Sequence, residues 1–202
     1  MKNKFLNNVI NMGQSWGFNK KHACQVSRIT QMLFDQLQDL HHMGNTERLW
    51  IEVAAILHDV GKKINKESHN KLTRDIIVDC SFLPFGRKER KMIGLIARYH
   101  RGRLPNDKHK YFNQLDDESR GYVCKLAAIL RIADGLVHGN SKIIKNLTCS
   151  INRQTITVYL ECTKNINIIK ALKKADLFEK SYMRNLIFES QVVPKCSETI
   201  LN

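Results

Sequence analysis

Apolar residues recur along the first two thirds of the chain at helical spacing. In 19–40, Ala23, Val26, Ile29, Leu33, Phe34 and Leu37 fall on one stripe, and Asn19 stands where an N-cap would. Thr46 stands before a second such run, whose Leu49, Trp50, Val53, Ile56 and Leu57 face a core. Gly61 follows that run and predicts a left-handed terminator. Further helices are predicted over about 68–80 and 87–99, the latter with Met92, Ile93, Leu95 and Ile96 apolar. A last long one opens in the acidic cluster Asp116-Asp117-Glu118, which suits a helix N-terminus, and runs to about Val137. Within it, Val123, Leu126, Ala127, Leu130 and Ala133 are apolar.

The period then changes. Segments 147–151 and 155–160 are rich in β-branched residues and are separated by the turn pair Asn152-Arg153, which predicts a hairpin. Segments 165–175 and 176–183 read as helical, and 185–189 as a strand. The fold class is therefore mainly α: a helical bundle over 1–145, then a small antiparallel β/α appendage over 146–202.

With 202 residues and 43% hydrophobic content, the chain can build one core with a small extension. It carries 33 Lys plus Arg against 19 Asp plus Glu, a formal net charge of +14, which calls for an anionic partner. No apolar run reaches the length of a membrane span. The first 18 residues are interrupted by Asn7, Asn8, Asn11, Gly13 and Gln14, a poor signal peptide. None of the six cysteines forms a C-x-x-C pair, and Cys24, Cys80 and Cys124 lie in apolar helical contexts. Reduced thiols and a cytoplasmic setting are expected.

The chemistry lies in the histidines and aspartates. His22 opens one predicted helix, the adjacent His58-Asp59 closes the next, His69 opens the third and His100 ends the fourth. Asp134 lies between apolar residues of the fifth, where a buried carboxylate needs a partner or a metal. Bundled helices can project such residues into one pocket. Imidazole and carboxylate together suit a divalent ion, and an adjacent His-Asp pair lets the carboxylate bridge to a second one. His41 and His42 are expected to be exposed at a helix end, and His109 and His138 belong to no pattern.

The ordered set His22, His58-Asp59 and Asp134 resembles the HD superfamily of metal-dependent phosphohydrolases. The segments LWIEVAAILHDVGK, LIARYHRGRL and KLAAILRIADGL, with His22-Ala23 and Leu33-Phe34-Asp35, look like the C-terminal HD domain of the exopolyphosphatase / guanosine pentaphosphatase family. The likeness runs from about Lys20 to Val137, and Ala175-Asp176-Leu177-Phe178 is similar to that family's tail.

The resemblance implies one divalent ion (Mn, Mg, Fe, Ni or Zn), with room for a second. Its ligands would come from His22, His58, Asp59, Asp134, His69 and His100. Asp59 would orient or deprotonate water, and His69 or His100 would hold a second ion or donate a proton. Lys62 falls in His-Asp-x-Gly-Lys, a pattern similar to active HD phosphodiesterases, and would act as a catalytic residue beside Asp59, contacting phosphate or assisting the leaving group. Arg98, Arg101, Arg103 and Arg131 would neutralise its charge. Two departures stand out. Tyr99-His100 replaces the His-His pair of many binuclear members, and nothing resembles the family's N-terminal actin-like domain, which carries the exopolyphosphatase chemistry.

Two functions are therefore expected. One is a metal-dependent phosphohydrolase of polyphosphate or nucleotide polyphosphate. The other is a non-catalytic polyanion-binding module working beside a separate actin-like phosphatase. A homodimer is compatible with either. The basic residues of 62–110, with Lys71 and Arg74 near His69, are expected to form a phosphate-attracting rim. Arg87, Lys88, Arg90 and Lys91 read as a solvated helix face. With only 7% aromatic residues, base stacking is not indicated, and nucleic acid is not an expected partner.

Overall fold

The computed structural model describes residues 2–140 and 142–193. The helices are α1 (Lys2–Ser15), α2 (Lys20–Gln36), α3 (Gln38–His41), α4 (Asn45–Leu57), α5 (His69–Asp79), α6 (Arg87–Arg98) and α7 (Asp117–Val137). A hairpin follows, β1 (Ile144–Ile151) and β2 (Thr155–Cys162), then α8 (Ile169–Leu172), α9 (Asp176–Tyr182) and β3 (Asn185–Val192). Cys196 and Pro194 lie outside the described residues. No helix among those described is long and apolar enough to cross a membrane.

The mainly helical architecture with a small C-terminal sheet is as expected. Asn19 does cap α2, its side-chain oxygen accepting from the His22 backbone N–H at 3.0 Å. Asp116 caps α7 in the same way through Ser119 at 2.8 Å. α1 is not evident from the sequence, because its asparagines mask the helical spacing of Phe5, Leu6, Val9 and Ile10. It buries Val9, and Phe5 meets the Phe85 ring edge-on at 5.9 Å.

Several local expectations need correction. The helix expected over 19–40 is interrupted at Leu37, and α3 resumes the turn before His42 closes it in a left-handed conformation, φ 52°. α4 begins at Asn45 rather than after a Thr46 cap, because Glu47 reaches back to accept from the Gly44 N–H at 2.8 Å. His41 is buried, not exposed. Its Nε2 donates to the Phe34 carbonyl at 2.9 Å, its Nδ1 accepts the Met43 N–H at 3.0 Å, and its ring packs on Phe34. Burial lowers its pKa, and the Lys125 charge adds to that.

Gly61 is no left-handed terminator either. It sits in a short 3-10 turn, Val60–Lys63, and the glycines with positive φ among the described residues are Gly17, Gly102 and Gly139. What Gly61 provides is proximity. A Cβ there would lie 2.5 Å from the His69 carbonyl oxygen and 2.9 Å from the Thr73 nitrogen. Thr73 Oγ1 accepts the Gly61 N–H at 3.0 Å and donates to the His58 carbonyl at 3.1 Å. The turn after α4 is thereby pressed against α5.

The sheet order is β1-β2-β3. β1 and β2 are antiparallel, as predicted, with Asn152 organising the turn through bonds from Gln154 N–H and Thr155 N–H. β3 pairs in parallel with β2, so the antiparallel expectation holds for the hairpin alone. A parallel partner needs a crossover connection, and α8 and α9 lie within it. One apolar core runs through both parts of the chain, from Val26 and Ile51 through Ile132 to Val158 and Phe178. On the bundle side of β1, Arg28 donates to the carbonyls of Ile144 and Lys145, and Gln36 Oε1 accepts the Cys149 N–H.

Candidate metal centre

Five helices deliver the centre from their ends. His22 lies in the first turn of α2, His58 and Asp59 follow α4, His69 opens α5, His100 follows α6, and Asp134 lies one turn from the end of α7. Helix ends suit this task because the side chain is held by a rigid element while the local backbone is free to turn. All but His22 are buried.

Three of the histidines share one arrangement. His58 Nδ1 is 2.7 Å from the Ala55 carbonyl, His69 Nδ1 is 2.8 Å from that of Lys66, and His100 Nδ1 is 2.7 Å from that of Ala97. A carbonyl only accepts, so each Nδ1 carries a proton and each ring turns its Nε2 inward. Backbone support of this kind is what orients metal-binding histidines.

The inward atoms meet two carboxylates. Asp59 Oδ1 lies 3.1 Å from His69 Nε2 and 3.8 Å from His100 Nε2. Its Oδ2 lies 3.8 Å from His58 Nε2 and accepts from Lys62 Nζ at 2.7 Å. Asp134 Oδ1 lies 3.1 Å from His22 Nε2 and 3.7 Å from His58 Nε2, while its Oδ2 receives the Lys174 ammonium. His69 and His100 bring their Nε2 atoms to 3.4 Å of each other. The buried His58 Nε2 has no hydrogen-bond partner.

Two groups could hold an ion. The ligand atoms of His22, His58 and Asp59 lie within 4.8 Å of one another, as do those of Asp59, His69 and His100. Asp59 belongs to both. Imidazole nitrogens converging on buried carboxylates, with the His58 Nε2 orphaned among them, fit a divalent cation.

The electrostatics agree. Burial lowers the pKa of His58 and drives that of His100 well down, so both are neutral near pH 7. Burial alone would raise Asp59, but the His69 contact and the Lys62 ammonium outweigh it and hold the carboxyl below its usual range. For Asp134 the same opposition is resolved by the His22 contact and the Lys174 ammonium, and its pKa falls well down.

The centre opens into a cleft of about 1050 Å³. Lys21, Lys62, Lys63, Arg101, Arg131, Lys170, Lys173 and Lys174 line it, against two carboxylates, Asp59 and Asp134. The rim thus differs from the one expected over 62–110, which supplies only Lys62, Lys63 and Arg101. Arg98 and Arg103 are not among the lining residues; Arg98 is buried with its guanidinium over the Tyr99 ring. Arg74 is buried as well, bonded to Asp75 at 2.8 Å and 3.0 Å, and Lys71 does not line the cleft.

Arg131 reaches the cleft but is committed within the protein. It donates to both oxygens of Asp176 at 3.0 Å and 3.1 Å and to the carbonyls of Tyr99 and Gly102, each at 3.2 Å. On the helix face 87–91, Arg87 and Lys88 are exposed, Lys88 paired with Asp116 and Lys91 with Gln114, while Arg90 is held by the Val78 and Phe85 carbonyls. His138 lines the cleft beside Lys170, and His109 pairs with the Tyr99 hydroxyl at 2.9 Å. The residues that the sequence reading missed, Lys170, Lys173 and Lys174, come from the appendage.

The family model of the Ppx/GppA phosphatase, domain III, matches residues 6–181 of the chain. No curated protein matches it.

Proposed function

Since the chain belongs to the Ppx/GppA phosphatase domain III family, we propose that it is a metal-dependent phosphohydrolase of polyanionic substrates, polyphosphate or nucleotide polyphosphate. The observation that carries this reading is the trio of backbone-anchored imidazoles whose Nε2 atoms face Asp59 and Asp134 at the floor of a cationic cleft. The arrangement fits the HD-type donor set expected from the residue order.

His22, His58, Asp59 and Asp134 would hold a first ion, and Asp59, His69 and His100 a second. A mixed set of imidazole and carboxylate donors suits a transition metal better than Mg, which prefers oxygen ligands. When bound, such an ion acidifies water and polarises a phosphoryl oxygen. Asp59 would orient the attacking water. Lys62 and Arg101 meet the negative charge on the phosphoryl group, the contribution usually largest in such transfers. Arg131 holds the walls of the cleft together.

The test is elemental analysis of the purified protein together with phosphate release over polyphosphate, nucleotides and cyclic dinucleotides with manganese. Metal content and release should both vanish in Asp59→Ala. A metal-free wild type would overturn the reading. The excess of cations around the cleft favours a second reading, a polyanion-binding module that serves a separate actin-like phosphatase. Polyphosphate binding that survives Asp59→Ala, with no release by wild type, would establish it.

A further inference from the structure

Each carboxylate of the centre divides its two oxygens between histidines and a lysine. Asp59 turns Oδ1 to His69 and shares Oδ2 with Lys62. Asp134 turns Oδ1 to His22 and His58, and Oδ2 to Lys174. Two ammonium groups thus stand beside the imidazole cluster, one on each carboxylate. Lys62 comes from the turn after α4. Lys174 comes from the turn between α8 and α9, so the appendage reaches into the site.

The placement of Lys174 is built into the packing. Gly135, the residue after Asp134, has no side chain, and α8 lies directly on α7 there. A Cβ on Gly135 would fall 2.6 Å from Ala171 Cα and 2.9 Å from Ala171 N. The Lys174 backbone is held by its N–H donating to the Ala171 carbonyl at 2.9 Å, and Arg131 grips Asp176 two residues on. The ammonium also donates to the His100 carbonyl at 3.3 Å. Asp134 Oδ2 and the His100 carbonyl thus aim the amine at the cleft floor, where it lines the cavity with Lys62.

We propose that Lys174 is a substrate-positioning residue. Paired with Lys62 across the ligand cluster, it would grip the phosphoryl group to be transferred, while Arg131, its planar guanidinium fixed by four bonds to Asp176, Tyr99 and Gly102, holds the wall. A compact ammonium suits this, since it offers three rotatable donors and can keep Asp134 while donating to a phosphate oxygen. The appendage is then part of the binding site. The proposal rests on the phosphohydrolase reading for the identity of the anion.

The experiment titrates imidodiphosphate, a non-hydrolysable diphosphate, into the full chain with manganese, calorimetrically, alongside metal content and thermal melting. Lys174→Met should keep its fold and metal content and weaken imidodiphosphate binding by about tenfold or more, the loss expected of a charge-assisted hydrogen bond. Lys174→Arg should restore much of it. Lys180→Met, the same charge change on α9 outside the cleft, should bind like wild type. Equal binding by Lys174→Met, or an equal loss in Lys180→Met, would overturn the proposal, and so would Lys174→Arg as weak as Lys174→Met. If Lys174→Met does not fold, the comparison of Lys174→Arg with wild type decides: near-wild-type binding supports the role and a tenfold loss overturns it. Lysine-dependent binding without phosphate release by wild type would instead sink the hydrolase reading and keep the role of Lys174. A wild type that binds no imidodiphosphate removes both.

Discussion

Gly135 lets Ala171 rest on the backbone of α7 beside Asp134, with no room for a methyl group between them. Gly135→Ala should push α8 outward, lowering stability by about 1–3 kcal/mol. Denaturant unfolding measures this. The substitution leaves every ligand in place, so metal content should persist while imidodiphosphate binding declines with the displacement of Lys174. A variant as stable as wild type would show that α8 is not pressed on α7.

Gly61 makes a similar approach on the other side of the centre, where a Cβ would meet the His69 carbonyl at 2.5 Å. Gly61→Ala should separate the turn after α4 from α5, and with it Asp59 from His69. Here metal affinity should fall, by about an order of magnitude or more, as for loss of outer-shell support. Competition with a chromophoric chelator reads it. Unchanged affinity would mean that the turn adjusts without moving Asp59.

Chelation should destabilise the protein. A ligand that binds only the folded state adds about 2.7 kcal/mol at a hundredfold excess over its Kd. Removing metal with EDTA should therefore lower the melting temperature, and returning manganese should restore it. Asp59→Ala should be insensitive to both treatments. An identical melting temperature with and without chelator would count against a structural contribution from the ion.

His41 predicts a pH dependence away from the centre. Its folded-state pKa is lowered from the ordinary 6.5, chiefly by burial, so the folded ring is neutral where the unfolded ring is already taking up a proton. The stability it contributes is present above about pH 6.5 and is lost as pH falls below it. Protonation would also remove the acceptor for the Met43 N–H. The difference in unfolding free energy between wild type and His41→Gln should shrink between pH 7 and pH 5. A constant difference would refute the assignment.

Ligand types at helix ends were legible because they follow the order of the helices, and the bundle brings all six together. The hydrophobic stripes of α2, α4, α6 and α7 were legible for the same reason: one face of each must find the core. What stayed hidden depends on tertiary approach. Gly61 and Gly135 look like punctuation in a sequence, and only contact shows that they are spacers. Lys170, Lys173 and Lys174 resemble any solvated basic run until the chain folds back over α7. Arg131 looks like a free cation beside a phosphate site, yet Asp176, far along the chain, engages it. His41 and His42 are indistinguishable in a row of residues, although one side chain is enclosed and the other exposed.

The Arg131–Asp176 pair bears on modularity. Arg131 is buried in α7, and its carboxylate partner comes from the crossover between β2 and β3. A chain cut before β1 would keep all six candidate ligands but leave that guanidinium without its carboxylate partner. It would also uncover the apolar face that α8, α9 and the sheet now occupy. In this chain the helical part and the sheet are therefore not interchangeable cassettes, and a chimera built from it would have to carry them as one unit.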